Sequence, residues 1–202
     1  MAPRADLVLA SASPRRRELL ERLGLTLWVA PVDIDETPRP DELPLTYAAR
    51  LAAEKCAAAE PHGDGLPVLA ADTTVLLERE IFGKPADERE AAAMLRRLGG
   101  RRHEVITAYQ VRHRGARVER AVTTAVTFRL IAPAEVDAYV ASGEWRGKAG
   151  GYAIQGIAAV FATEIRGSLT NVIGLPLAEV IADLRAAGAL ERWPPPAFGA
   201  AP

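Results

Sequence analysis

The chain alternates short apolar runs with longer segments of helical composition, and this alternation restricts the folds that it can adopt. The first apolar run, residues 6–10, predicts a buried strand, and Ser13 with Pro14 after it forms a strong helix start. The same patterns predict strands at 25–30, 66–78, 103–112, 118–130 and 157–165, and helices at 45–60, 88–98, 133–143 and 176–188. The segment HRGA joins two of these strands, which predicts an antiparallel hairpin. The pattern therefore predicts an α/β fold with a mixed sheet.

Length and composition bound the class of protein. We expect a single α/β domain at 1–188, followed by a flexible tail at 189–202 that is rich in proline. One cysteine excludes an internal disulfide, and the chain shows no targeting segment and no apolar run of membrane-spanning length. A net charge of −1 is unlike that of nucleic-acid-binding proteins. We therefore expect a cytoplasmic protein with no nucleic-acid or membrane partner.

Asp72 interrupts the apolar run LPVLAADTTVLLE. A carboxylate inside a buried strand is costly without a partner or a cation. It could cap the end of the strand by hydrogen bonds to the backbone, act as a general base, or bind a metal ion. Thr73 and Thr74 beside it offer hydroxyl groups.

A second acidic cluster, Asp33, Asp35 and Glu36, follows another predicted strand. Together with Asp72, these oxygen ligands suit Mg²⁺ or Mn²⁺, which hold few protein carboxylates and leave positions for phosphate oxygens. A zinc site is disfavoured, because one cysteine and three scattered histidines show no ligand spacing.

Arginines and lysines at helix starts and in loops are candidates to bind phosphate near these acidic residues. Only three of the 25 basic residues are lysines, so each lysine suggests a position that needs a compact point charge. Helix N-termini, arginine forks and lysines together suit a polyphosphate, because they combine backbone and charged donors. The candidate residues for phosphate are Ser13, Arg15, Arg16, Lys55, Lys84 and Lys148, whereas Arg17 is expected on the solvated face of its helix.

Six segments of the chain, taken together, resemble the Maf family of nucleoside triphosphate pyrophosphatases. They occur in the family's order between about residues 7 and 180: LVLASASPRRRELL, YAARLAAEKC, VLAADTTVLLEREIFGKP, HEVITA, GKAGGYAIQG and GSLTNVIGLPLAEV. The resemblance implies an elongated mixed sheet with two lobes around a central cleft, similar to inosine triphosphate pyrophosphatases, and a homodimer. It also implies hydrolysis of a nucleoside triphosphate to the monophosphate and pyrophosphate with a divalent cation, Mg²⁺ or Mn²⁺.

The resemblance also assigns roles to single residues. Asp72 matches the family's proton acceptor. The charges of the residues themselves predict Lys55 and Lys84 as further catalytic residues that stabilise the leaving pyrophosphate, and Glu36 and Asp72 as candidate metal ligands, so that Asp72 could be mainly base or mainly ligand. Arg15, Thr73 and Gln155 match positions associated with substrate choice, and Ser13, Arg16 and Lys148 join them as substrate-binding residues. The loop GKAGGYAIQG is similar to that of the branch acting on dTTP and UTP, and modified pyrimidine nucleotides are also candidate substrates. The alternative is a regulatory protein of septum formation that binds nucleotide without significant turnover.

Overall fold

The computed structural model describes residues 5–62, 64–191 and 193–194. Its strands are β1 Leu7–Leu9, β2 Leu27–Val29, β3 Val68–Leu77, β4 Glu80–Phe82, β5 Arg102–His113, β6 Ala116–Phe128 and β7 Ala162–Arg166. Its α-helices are α1 Pro14–Glu21, α2 Pro44–Ala59, α3 Glu88–Leu98, α4 Pro133–Ala141, α5 Leu169–Ile173 and α6 Leu177–Ala186. In this part of the chain, no helix has the length and apolar character needed to cross a membrane.

The strands form one mixed sheet of seven strands in the order β2-β1-β3-β5-β6-β7, with β4 also paired to β3. β1 runs parallel to both β2 and β3, whereas β4 is antiparallel to β3 and β7 is antiparallel to β6. The two-residue link between β5 and β6 requires a hairpin, because parallel strands need a long crossover connection. The α/β class and the mixed sheet are therefore confirmed.

The chain divides into two compact units. The first comprises residues up to Asp72, residues 108–121 and residues from Gly174 onward. Part of its core lies where α2 packs on β1 and β3, through Cys56, Ala59 and their apolar neighbours. Burial raises the pKa of the Cys56 thiol to about 12, so this cysteine is an unreactive core residue.

The second unit comprises residues 73–107 and 122–173. Its core contains an aromatic group in which the rings of Phe128 and Tyr152 meet edge to face, with centroids 4.9 Å apart. His103 joins this group and places Nε2 2.8 Å from the hydroxyl of Tyr152. Burial lowers the pKa of His103 to about 4, so the ring is neutral inside this core.

Most element predictions agree with the structure to within a few residues, but one strand is partly wrong. Residues Ile157–Phe161 form a 3₁₀ turn, and only Ala162–Arg166 is a strand. Ala158 and Phe161 are buried while Ile157 and Val160 are exposed, a spacing of three that fits a 3₁₀ turn. The short elements β4 and α5 were not predicted.

Most of the predicted tail at 189–202 lies outside the described residues. The predicted cleft between two lobes stays a prediction.

Candidate active site

Lys55 is the centre of a charged cluster in the first unit. It lies on the buried face of α2, in line with Ala48, Leu51 and Ala52, which the helical repeat places on one side. Its aliphatic stem therefore packs inward, and its ammonium reaches two carboxylates. Lys55 Nζ lies 2.9 Å from Oδ1 of Asp72 and 2.6 Å from Oε1 of Glu36.

The cluster is partly shielded from solvent. The side chains of Lys55 and Asp72 are only 11% and 13% exposed, whereas that of Glu36 is 42% exposed. Its charges are one ammonium and two carboxylates, and the buried guanidinium of Arg16 also interacts with Asp72 and Glu36. Asp72, inside β3, thus has a side-chain partner of opposite charge, Lys55 on α2. This contact does not choose between the roles of base and metal ligand.

The donor set fits a hard divalent ion. Mg²⁺ is commonly held by one or two carboxylates, with substrate phosphates and water completing its shell, and Glu36 and Asp72 supply that number. Among the described residues, no group of three or more His, Cys, Asp or Glu side chains could hold a metal by itself.

The loop that carries Glu36 is fastened to α2 by residues that the sequence analysis did not identify. Tyr47 donates its hydroxyl to the main-chain oxygen of Glu36 at 2.9 Å. Arg50 donates to the main-chain oxygen of Thr37 at 3.1 Å and forms two bonds to the carboxylate of Glu42, at 2.6 and 2.7 Å. These bonds lower the pKa of Glu42 to about 2, so this pair stays ionised at neutral pH.

The three arginines of α1 have different surroundings. Arg16 is buried and donates from Nε to the main-chain oxygen of Gly174 at 2.9 Å and from Nη1 to the hydroxyl of Ser11 at 3.0 Å. Burial lowers the pKa of Arg16, and the charges of Asp72 and Glu36 oppose that effect. Arg17 is exposed and pairs with Glu21 at 2.7 Å, as expected for solvated helix surface.

The N-terminus of α1 has the predicted residues but lacks the usual cap bond. Ser13 is the N-cap and Pro14 is the first helical residue, yet the Ser13 side chain makes no capping hydrogen bond. Arg15 follows and is half-buried. The helix start therefore does not use the Ser13 hydroxyl to satisfy its own amides.

In the second unit, the loops that carry Lys84 and Lys148 are joined. The amide of Gly150 donates to the main-chain oxygen of Gly83 at 3.0 Å. Gly150 has a φ of 69°, and a Cβ at this position would lie 3.0 Å from a methyl group of Val75. Glycine is therefore favoured at this position, because a side chain would be strained at this φ and would crowd Val75. Lys84 is exposed and Lys148 is half-buried.

Gln155 is exposed on a loop that is held at both ends. Before it, the amide of Ala153 donates to the hydroxyl of Tyr139 at 3.1 Å. After it, the amide of Ile157 donates to the carboxylate of Glu144 at 2.9 Å. Tyr139 and Glu144 were not predicted from sequence, because neither contact has a local sequence signal.

Thr73 follows Asp72 in β3 and is half-buried. Its hydroxyl oxygen lies 2.9 Å from that of Thr107 in β5.

The structure thus brings Glu36, Lys55 and Asp72 into direct contact in the first unit. In the second unit it joins the two lysine loops and ties Thr73 to β5. The functional roles of these residues stay predictions.

Comparisons with known proteins cover almost the whole chain. A family model described as Maf-like protein matches residues 6–187. A dTTP/UTP pyrophosphatase of Cereibacter sphaeroides is 58% identical over 184 residues, which are 90% of this chain and 95% of that protein. A dTTP/UTP pyrophosphatase of Anaeromyxobacter dehalogenans is 51% identical over 200 residues, 97% of this chain and 100% of the relative. One of Roseobacter denitrificans is 50% identical over 182 residues, 90% of this chain and 96% of the relative.

Proposed function

Because the chain belongs to the Maf family, we propose that it is a nucleoside triphosphate pyrophosphatase that converts dTTP and UTP to their monophosphates and pyrophosphate. The similarity to relatives of that name extends over nine-tenths or more of the chain. The structural observation that carries the proposal is the contact of Lys55 with both Asp72 and Glu36.

Hydrolysis between the α and β phosphates needs a water molecule deprotonated as it attacks the α phosphorus. Asp72 is the proposed base: its carboxylate takes the proton, the water oxygen bonds to phosphorus, and the bond to the bridging oxygen breaks. Lys55 holds this carboxylate in place through the 2.9 Å contact and offers positive charge beside the reacting phosphates. Pyrophosphate leaves with the bridging oxygen.

A divalent cation, Mg²⁺ or Mn²⁺, is the proposed cofactor, and Glu36 and Asp72 would hold it. When bound, it would offset the charge of the phosphate oxygens and polarise the α phosphate. The carboxylate of Asp72 fits both roles, as the base that takes the proton of the water and as a ligand of the cation.

The residues proposed to bind the phosphates are those at the start of α1 and the lysines of two loops in the second unit. Arg15 and Ser13 at the start of α1 offer a guanidinium and a hydroxyl, and Arg16 adds positive charge from a buried position. Lys84 and Lys148 are proposed phosphate contacts, and Gln155 is the proposed contact of the base. The homodimer that the resemblance implies and the cytoplasmic location expected from the composition also stay proposals.

The proposal is tested by assaying the purified protein with a panel of nucleoside triphosphates, including modified pyrimidines, in the presence of Mg²⁺ or Mn²⁺. We expect pyrophosphate to be released from dTTP and UTP in preference to ATP, GTP and CTP. Binding of nucleotides without release of pyrophosphate from any of them would instead support the regulatory reading.

A further inference from the structure

Thr73, Thr107 and Asn171 form a line of hydrogen bonds in the second unit. The hydroxyl oxygens of Thr73 and Thr107 lie 2.9 Å apart, and the Thr107 hydroxyl oxygen lies 2.9 Å from the main-chain oxygen of Asn171. Thr107 and Asn171 are fully buried, whereas Thr73 is half-buried. Only the Thr73 end of the line is therefore open to a molecule arriving from solvent.

The chemistry of the three groups fixes the direction of these bonds. A carbonyl oxygen only accepts, so Thr107 must donate its single hydroxyl hydrogen to Asn171. Thr107 then has only lone pairs left for Thr73, and Thr73 must donate to Thr107. The Thr73 hydrogen consequently points into the protein, and its oxygen acts as an acceptor toward other groups.

The carbonyl at the end of the line is itself held in place. The side-chain amide of Asn171 donates to the main-chain oxygen of Val105 and to the hydroxyl of Thr124, both at 3.0 Å. The main-chain amide of Asn171 donates to the hydroxyl of Ser168 at 3.2 Å. These bonds hold Asn171 on both its side chain and its main chain, so its carbonyl stays directed at Thr107.

We propose that Thr107 and Asn171 are positioning residues that make Thr73 a hydrogen-bond acceptor for the imide N–H of a uracil or thymine base. This inference rests on the proposed function and specifies how its substrates are distinguished. dTTP and UTP differ at the sugar 2′ position and at C5 of the base, and they share an imide N–H between two carbonyl groups. At the same ring position, cytosine has a nitrogen without hydrogen, which can only accept a hydrogen bond. An acceptor-only hydroxyl therefore favours the imide and disfavours cytosine.

The test measures binding of the α,β-methylene analogues of UTP and CTP by calorimetry, together with pyrophosphate release from UTP. The wild-type protein should bind the UTP analogue more tightly than the CTP analogue. Thr107→Val frees the Thr73 hydrogen to donate to cytosine, so the ratio of the two affinities should fall by about tenfold, the effect of one buried hydrogen bond. Thr107→Ala provides the same test should the valine variant not fold.

Two controls separate this role from a general loss of packing. Thr107→Ser keeps the hydroxyl and should restore the wild-type ratio. Tyr109→Phe removes another buried hydroxyl of β5, which donates to Asp183 and not to the Thr73–Thr107–Asn171 line, and should leave the ratio unchanged. Thr73→Val should lower the ratio, and adding Thr107→Val to it should lower it no further, because Thr107 acts through Thr73.

The outcomes distinguish this inference from the proposed function. An unchanged ratio in the folded Thr107 variants, or equal weakening of both analogues, overturns the positioning role. A wild-type protein that prefers the UTP analogue and responds to Thr107→Val but releases no pyrophosphate supports the inference and overturns the proposed catalysis.

Discussion

Lys55 and Asp72, on α2 and β3, are joined by a contact of 2.9 Å between Nζ and Oδ1, and both side chains are almost completely shielded from solvent. Glu36 completes the cluster at 2.6 Å from the same ammonium. The buried strand can therefore hold a carboxylate because α2 brings a lysine to it, and the pair forms the proposed centre of the chemistry.

The first prediction concerns the proposed base. Asp72→Asn keeps the shape of the side chain but cannot accept the proton of the attacking water, so the rate of pyrophosphate release should fall about 10²-fold to 10⁴-fold. Nucleotide binding should be largely retained, as measured by calorimetry. Asp183→Asn is a matched control, because Asp183 is a buried carboxylate that pairs with Arg120 and Tyr109 instead. A normal rate in Asp72→Asn excludes Asp72 as the base.

The second prediction concerns the charge balance of the cluster. Lys55→Met removes the ammonium and leaves the shielded Asp72 carboxylate without this partner, so both activity and stability should fall. The free energy of unfolding should decrease by about 2 kcal/mol, measured by urea denaturation. Arg17→Met is the control: it breaks an exposed pair with Glu21 and should leave the free energy of unfolding nearly unchanged. Equal losses in the free energy of unfolding for the two variants would contradict a stabilising role of the shielded contact between Lys55 and Asp72.

The third prediction concerns the metal ion. Removal of divalent cations with a chelator should abolish pyrophosphate release, and Mg²⁺ or Mn²⁺ should restore it. Glu36→Gln weakens one proposed ligand, so the Mg²⁺ concentration that gives half-maximal activity should rise by about tenfold. Glu54→Gln serves as control, because Glu54 is a partly exposed carboxylate that pairs with Arg39 and Arg50. Full activity in the chelator rules out the metal requirement.

The fourth prediction concerns base choice at Gln155. An amide can donate and accept, which suits the alternating carbonyl and N–H groups of uracil and thymine, whereas an ionised glutamate only accepts. Gln155→Glu should therefore lower kcat/KM for dTTP and UTP by about tenfold and reduce the preference over purine nucleotides. The check is the nucleotide panel with both proteins, and identical rates on dTTP would remove Gln155 from base recognition.

The fifth prediction concerns pH and the core of the second unit. His103 has its pKa lowered from 6.5 to about 4 by burial, so the folded protein disfavours the charged ring. The unfolded chain binds a proton near pH 6.5 and the folded chain does so only near pH 4, so stability is complete above pH 6.5 and declines below it. The loss should reach about 3 kcal/mol at pH 4. Thermal denaturation of the wild type and of His103→Gln between pH 7 and pH 4.5 checks this, since the variant should lack that decline.

Local signals in the sequence determined most of the fold. The helix at 88–98 was predicted with its observed ends because Asp87 caps it, accepting from the amide of Glu90 at 2.8 Å, and such contacts involve residues only a few positions apart. The strand around Asp72 was predicted from its apolar run, and the isolated carboxylate in that run identified the candidate site. The short elements β4 and α5 were missed, because Gly83 directly follows β4 and glycines at 167 and 174 flank α5, and such segments are typical of turns and loops.

Tertiary structure decided which side chains meet. Lys55 and Asp72 lie 17 positions apart, Thr73 and Thr107 lie 34 apart, and Thr107 and Asn171 lie 64 apart. No periodic pattern or cap specifies such pairs, because they depend on how α2 and α5 pack and on which strands are neighbours in the sheet. The sequence by itself identified acidic residues, lysines and a threonine in loops, at helix starts and inside one strand as candidates for a catalytic site. Packing then decided that one lysine joins two carboxylates and that the hydroxyls of Thr73 and Thr107 meet.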